Sequence, residues 1–272
     1  MQVSLPMHVA RIGLAALKGA RHRTLPHVDL TADGPVGDRD FCLIDLASGK
    51  VLKTVQNIAL LRTIAAWDGD TLAVTFPSDA GQVSGRMVSG RPIPASDPLT
   101  FDYWGRPAAL ELVDGPWSDA FSAYLQRDVR LARARTPGAL VYGASVSLIT
   151  TSALSHLGER LGKRLGAAVD EARFRATFTI DTDGLQADVE DAWLGRRLRL
   201  GEAEVQINAP IARCAVIDAD PVTGEPGPPI LKALAAYRNR PGGIDFGLDA
   251  TVVRPGRITT GDLVTVLDEP SR

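Results

Sequence analysis

The stretch with most chemical potential runs from Ile207 to Glu225, where a single cysteine, Cys214, follows Arg213 and precedes the turn sequence Asp220-Pro221-Val222-Thr223-Gly224. A guanidinium beside a thiol favours the thiolate where both side chains share a direction. A thiolate so placed serves as a nucleophile, a sulfur carrier or a ligand for a soft metal. A lone cysteine is equally a frequent core residue, and spacing leaves these readings open. Cys42 differs: it lies inside the apolar run Phe41 to Leu46, with nothing nearby to stabilise negative charge, and reads as core. Both are expected to be free thiols, since one pair is no disulfide framework.

Three further groups have types suited to chemistry. Arg173-Phe174-Arg175 puts two guanidiniums on one face of an expected strand, which suits an anion or, equally, a solvated edge with snorkelling arginines. Thr150-Thr151-Ser152 follows an apolar run and opens a helical pattern, so its hydroxyls read as N-caps or as a phosphate-receiving helix start. Asp188, Glu190 and Asp191 cluster before Trp193 and read as a surface turn. The four histidines, His8, His22, His27 and His156, are scattered and no Cys-x-x-Cys is present, so no zinc or iron–sulfur site of familiar spacing exists. A metal here would arrive with an organic ligand.

The elements that must position these residues are mostly strands. Short apolar runs (Val9–Ile12, Phe41–Leu46, Val51-Leu52, Leu72–Val74) are separated by Asp33-Gly34, Ser48-Gly49 and Asp68-Gly69, the pattern of antiparallel hairpins. Residues 79–98 are rich in Gly, Pro and Ser, yet Met87-Val88 and a strand over Leu99–Tyr103 make them a long hairpin edge. Trp117, Phe121, Tyr124 and Leu125 share one face of a short helix, and Val129–Arg135 follows as a strand. Thr136-Pro137-Gly138 marks a seam, dividing the chain into residues 1–135 and 136–272. Beyond it come a strand at Val146–Ile149, a helix carrying Leu154, Leu157, Leu161 and Leu165, and a strand at Phe178–Ile180 that runs into Asp181-Thr182-Asp183-Gly184. A hairpin turns at Gly201-Glu202, a helix begins at Pro228-Pro229, and strands fall at Thr251–Arg254 and Leu263–Leu267. The expected fold is α+β and mainly β: barrels with helices at their ends.

With 272 residues the chain is long enough for one large or two packed domains. A net charge of -2 and no basic run with interleaved aromatics argue against nucleic acid as partner. No apolar stretch approaches the ~20 residues of a membrane span, nor do the first residues form a signal-peptide core. A cytoplasmic protein with no membrane partner is expected.

In order along the chain, several motifs resemble those of the MOSC family, the molybdenum-cofactor sulfurase C-terminal domain, in the form with a preceding N-terminal β-barrel. Leu17-Lys18-Gly19 is similar to the family's P-V-K-S, and Gly37-Asp38-Arg39 to G-D-R. Arg173-Phe174-Arg175 is similar to R-F-R-P-N, and Asp191-Ala192-Trp193-Leu194-Gly195 to D-x-W-x-G. Arg213-Cys214 with Asp220-Pro221-Val222-Thr223-Gly224-Glu225 resembles C-x-R-C…D-P-x-T-G. Phe246-Gly247 and Arg254-Pro255-Gly256-Arg257-Ile258 before Gly261-Asp262 resemble the closing F-G…P-G-x-I-x-x-G-D. The likeness spans nearly the whole chain and is greatest to the amidoxime-reducing component type. It departs at four points: Thr177 stands for the family's Asn, Val55 for an arginine next to Lys53-Thr54, Ile211 for the first cysteine, and Tyr142-Gly143-Ala144-Ser145 for D-x-x-P.

The resemblance implies a MOSC-type barrel at 136–272 and an N-terminal barrel at 1–135. It implies an oxidoreductase that holds the molybdenum cofactor (molybdopterin) and reduces a small N-oxygenated substrate, with electrons from a separate donor protein. In that reading Cys214 is both metal ligand and catalytic residue. Lys18, Gly19, Lys53, Ser145, Arg175, Thr177 and Arg213 contact the cofactor. Two other functions remain open: a sulfur-transfer enzyme using Cys214 as persulfide or nucleophile, and a non-catalytic carrier of the cofactor.

Overall fold

The computed structural model describes residues 6–95, 97–162, 169–182 and 184–267. Of the residues read above, Leu165 and Asp183 lie outside them. Among the described residues four sheets carry the fold. The larger core sheet has nine strands. Along its path they run Arg23–Leu25, His8–Leu14, Phe178–Asp181, Val146–Thr150, Gly243–Arg254, Ala203–Ala212, Arg197–Leu200 and Val264–Leu267, with Asn239–Arg240 off the path. Its pairings are antiparallel except that of Val146–Thr150 with Phe178–Asp181. A parallel pair needs a crossover, and the helix Thr151–Arg160 lies in this one. Thr150 caps that helix by accepting from the Ala153 amide at 3.3 Å. Leu154 and Leu157 bury one helix face against Phe174 and Phe246.

The second sheet has six strands: Ile93–Pro94, Arg106–Asp114, Val129–Ala134, Phe41–Asp45 and Lys50–Val51 in order, plus Leu99–Tyr103 on Arg106–Asp114. Its core is separate and is built on Phe41, Trp117 and Phe121, the last two from the short helix Trp117–Leu125. Sheet and helix thus follow the apolar pattern of the sequence.

The chain is mainly β with peripheral helices, as expected, but the described residues form no closed barrel. The outer strands are too short to complete a ring: Ile93–Pro94 and Lys50–Val51 flank one sheet, and Arg23–Leu25 ends the other. The large sheet curls back on itself only through the bridge His8–Leu263 and hydrogen bonds such as Val9 N to Asp262 O at 2.9 Å. The division at 135/136 separates most of the two sheets except at the N-terminus. His8–Leu14 pairs with Phe178–Asp181, and His27–Thr31 pairs with Gly256–Thr259, so the first strands belong with the second half.

Two local features differ from the sequence pattern. The strand Ala203–Ala212 continues through Pro210, although a proline has no N–H to give a sheet and ordinarily breaks a strand. Register shifts at Ile207/Ala209 and Pro210/Ala212 absorb the missing proline N–H and bend the strand end. Gly243–Arg254 is one strand of 12 residues, longer than the expected Thr251–Arg254, because Phe246 and Leu248 bury while Gly247 takes a φ of 74° within it. Among the described residues no helix is long and apolar enough to cross a membrane.

Candidate functional site

The bent end of Ala203–Ala212 delivers Ile211, Ala212, Arg213 and Cys214 to a cleft of about 360 Å³ between the two sheets. Lys18, Arg39, Lys53 and Trp104 line it from the first half, and Ser147, Arg173, Phe174 and Arg175 from the second. Among the described residues, six that line it are cations (Lys18, Arg39, Lys53, Arg173, Arg175, Arg213), and none is Asp, Glu or His. Cys214 lines the cleft as an exposed free thiol, whereas Cys42 is buried, and its thiol is pushed up to about 12 by burial. That fits the reading of Cys42 as core.

The cations are held by backbone more than by counter-charge. Arg213 donates from Nε to Phe246 O at 2.7 Å and from Nη1 to Phe174 O at 2.8 Å, with its guanidinium 5.5 Å from the Phe174 ring centre. Its buried Nη2 has no hydrogen-bond partner among the described residues. Arg175 donates to Ala20 O at 2.8 Å, and Arg39 donates to Arg175 O at 3.1 Å and to the Asp38 carboxylate behind the cleft. Lys18 Nζ donates to Tyr103 Oη at 2.6 Å. The electrostatic result is a surplus of positive charge. Burial, with the Arg39 and Arg175 guanidiniums, pushes the Lys18 ammonium down to about 7. Burial and then Arg39 push Arg175 down to about 9, while burial outweighs the nearby Cys214 sulfur and pushes Arg213 down to about 10. Cations this poorly compensated form a site preorganised for an anion.

Arg173-Phe174-Arg175 is not a strand. Glu171–Phe174 is a 3-10 turn and Arg175 is left-handed, with a φ of 52°. Both arginines line the cleft, but the turn gives their guanidiniums different partners. Arg173 is spent on the carbonyls of Ile217, Asp218 and Ala219, the last at 2.7 Å, and so fastens the segment after Cys214.

Of the residues expected to contact a cofactor, Lys18, Lys53, Arg175 and Arg213 line the cleft with Cys214, whereas Gly19, Ser145 and Thr177 do not. Gly19 has a φ of 91° and a Cβ there would stand 2.8 Å from Leu60 Cδ1, so its role is to turn the chain after Lys18. Ser145 packs its side chain against Gly34, where an added Cβ would meet it at 2.6 Å. Thr177 is buried and exchanges bonds with Ser147: Ser147 N to Thr177 Oγ1 at 3.1 Å, and Thr177 N to Ser147 Oγ at 3.0 Å. It thereby fixes Ser147, which does reach the cleft. Lys53 reaches the cleft with its ammonium 4.0 Å from the Trp104 ring centre.

Sequence reasoning missed Arg39, Tyr103, Trp104, Tyr142 and Ser147 as lining residues. Arg39 had a signal, the Gly37-Asp38-Arg39 motif and its charge; the others are brought in by tertiary contacts. The acidic cluster is no surface turn either. Glu190 is 1% exposed, accepts from Thr150 Oγ1 at 2.8 Å and, with Asp188 and Asp191, surrounds the buried Arg238. Thr151 and Ser152 are likewise occupied, by Asp181 and Thr182, so that helix start is a satisfied cap. No group of three or more His, Cys, Asp or Glu able to hold a metal ion occurs among the described residues.

The sequence model of the MOSC domain matches residues 134–265. The chain is 26% identical to the molybdenum cofactor sulfurase of Caenorhabditis elegans over 228 residues, 78% of this chain but 29% of that protein. It therefore spans under a third of that relative's length. Among solved structures, the YUAD protein from Bacillus subtilis superposes with a TM-score of 0.42 at 10% identity, over 96% of this chain and 94% of that one. YiiM from Geobacillus stearothermophilus does so with a TM-score of 0.34 at 21% identity, over 46% of this chain and 54% of that one. The matched stretch contains Ser147, Arg173, Arg175, Arg213 and Cys214, while Lys18, Arg39 and Lys53 lie outside it and complete the same cleft. The chain is a MOSC-family protein whose MOSC domain occupies residues 134–265.

Proposed function

We propose that the cleft holds the molybdenum cofactor, with the Cys214 thiolate as the protein's ligand to the metal, and that the protein is an oxidoreductase acting on a small N-oxygenated substrate. The observation that carries this reading is the lining itself: among the described residues, six cations, no carboxylate, and one exposed thiol. The residues suit such a group. A phosphate needs uncompensated donors, which Lys18 and Arg175 supply, and Arg213 has a buried Nη2 without a partner among the described residues. A soft metal prefers a thiolate, and Cys214 is the cleft's thiol.

When bound, the cofactor supplies two-electron redox chemistry that the side chains themselves lack. The chain's own groups bind and orient. Arg213, tied to Phe174 O and Phe246 O, fixes the backbone next to Cys214, and Arg173 clamps the segment that follows it. Lys18, balanced near neutrality and bonded to Tyr103, holds or releases a proton at Nζ. Electrons are assigned to a separate donor protein. The test is metal and pterin analysis of protein from a cofactor-competent host. Stoichiometric molybdenum and pterin in the wild type, with molybdenum lost in Cys214→Ala, supports the reading; absence of both in the wild type refutes it.

A second reading, sulfur transfer through a Cys214 persulfide, is favoured by the exposure of that thiol and by the sulfurase named among its relatives. Incubation with a sulfane-sulfur donor such as a polysulfide, whose S–S bond the thiolate would cleave with release of the shortened polysulfide, would then add one sulfur to the intact mass, dependent on Cys214.

A further inference from the structure

Strands Leu99–Tyr103 and Arg106–Asp114 pair so that Tyr103 faces Arg106 across the two-residue turn Trp104-Gly105. Both turn residues have positive φ, 55° and 76°, a geometry that Asn and Gly adopt readily and a bulky indole does not. Trp104 is nonetheless 48% exposed, so burial does not explain its presence. It overhangs the cleft, edge-to-face with Tyr142, whose ring centre is 5.3 Å away and which is 53% exposed. Both rings are braced by neighbouring cations. Lys53 sits over the indole, and Arg106 donates to Val141 O and Gly143 O on either side of Tyr142. A strained residue held in this way marks a working surface.

Trp104 and Tyr142 also line a second chamber of about 450 Å³, which shares Ile211 and Ala212 with the cationic cleft. Its two charged residues are already committed. Arg106 serves the two carbonyls, and the Asp249 carboxylate accepts from Ala144 N and Ala209 N, each at 3.1 Å. What remains for a ligand is two aromatic rings and the apolar surfaces of Pro210, Ile211 and Ala212. We infer that this chamber is a substrate subsite for a flat, uncharged aromatic ring, held by Trp104 and Tyr142 beside the Cys214 cleft. The assignment of the ring to a substrate rests on the oxidoreductase reading; the binding itself does not.

Ligand-observed NMR titration tests it with two probes that differ only in ring planarity, benzamide and cyclohexanecarboxamide, on the wild-type chain and on Cys214→Ala. Benzamide is expected to bind both proteins, roughly 5-fold or more tighter than its saturated counterpart. Trp104→Ala and Tyr142→Ala each weaken benzamide roughly 5- to 10-fold, and Trp104→Phe restores it to within about 2-fold. Equal affinity for the two probes overturns the inference, as does benzamide binding unchanged in a folded Trp104→Ala protein or absent from the wild type. Ring binding by a protein that never acquires molybdenum supports the subsite and refutes only the cofactor reading. A molybdenum-loaded protein blind to benzamide does the reverse.

Discussion

Replacing Lys18 by methionine separates the electrostatic account of the cleft from a purely steric one. In the ligand-free native protein, burial and the guanidiniums of Arg39 and Arg175 hold the Lys18 ammonium at about 7, against an ordinary value of 10.5. Below pH 7 the amine is charged in both states, and its full penalty falls on the native one. Between 7 and 10.5 the unfolded chain binds a proton that the native protein does not, so wild-type stability rises with pH. From pH 6 to pH 9 the native amine passes about two units beyond its midpoint, which at roughly 1.4 kcal/mol per unit gives a gain of about 3 kcal/mol. Lys18→Met has no such titration. It loses the bond to Tyr103 Oη, a pH-independent cost of about 1 kcal/mol. Urea unfolding of both proteins at pH 6 and pH 9 in phosphate-free buffer gives the comparison. The stability of wild type relative to variant is expected to climb by about 3 kcal/mol across that interval. Saturating phosphate, which favours the ammonium, should shrink the climb. A difference that stays constant with pH, or moves the other way, refutes the idea that uncompensated positive charge is built into the cleft.

Three other outcomes follow from the same structure. Iodoacetamide should label the native protein once, at Cys214, because Cys42 is buried with its thiol pushed to about 12; peptide mapping showing native Cys42 labelling would contradict this. Arg238→Met leaves the buried Glu190 and its neighbours Asp188 and Asp191 without their shared cation, and should destabilise by roughly 3 kcal/mol in denaturant unfolding; a neutral effect would mean the cluster is solvated after all. Thr177→Val keeps the volume but strands the Ser147 amide, and should cost about 1–3 kcal/mol in thermal unfolding, with no loss expected if Thr177 contacted only a ligand.

Where local pattern decides local structure, the sequence is legible. The alternation Arg197-Leu198-Arg199-Leu200 buries both leucines and exposes both arginines, and the hairpin turns at Gly201-Glu202 as the spacing implies. The apolar face of Trp117–Leu125 is legible in the same way. Barrel closure is not, because it depends on how far the outer strands extend, and Arg23–Leu25 and Val264–Leu267 stop short. Nor is the membership of His8–Leu14, whose partner Phe178–Asp181 lies far along the chain.

The site divides along the same line. Cys214, Arg213, Arg175 and Lys18 stand out by type and motif, and all four line one cleft. Thr177 and Ser145 fall where motif position points inward but side-chain direction does not: Thr177 turns to Ser147, and Ser145 to Gly34. Arg173 and the acidic cluster show the converse. Their charges look available for chemistry, yet backbone carbonyls hold the one and Arg238 holds the other. Spacing reports which charges exist; only the tertiary structure reports which are already engaged.

The central claim is that the Cys214 sulfur is the protein's bond to molybdenum. Molybdenum-edge X-ray absorption of the loaded wild type and of Cys214→Ser tests it most directly. The account predicts one sulfur fewer around the metal in the variant, with an oxygen or nitrogen in its place; identical sulfur shells in the two proteins would contradict it.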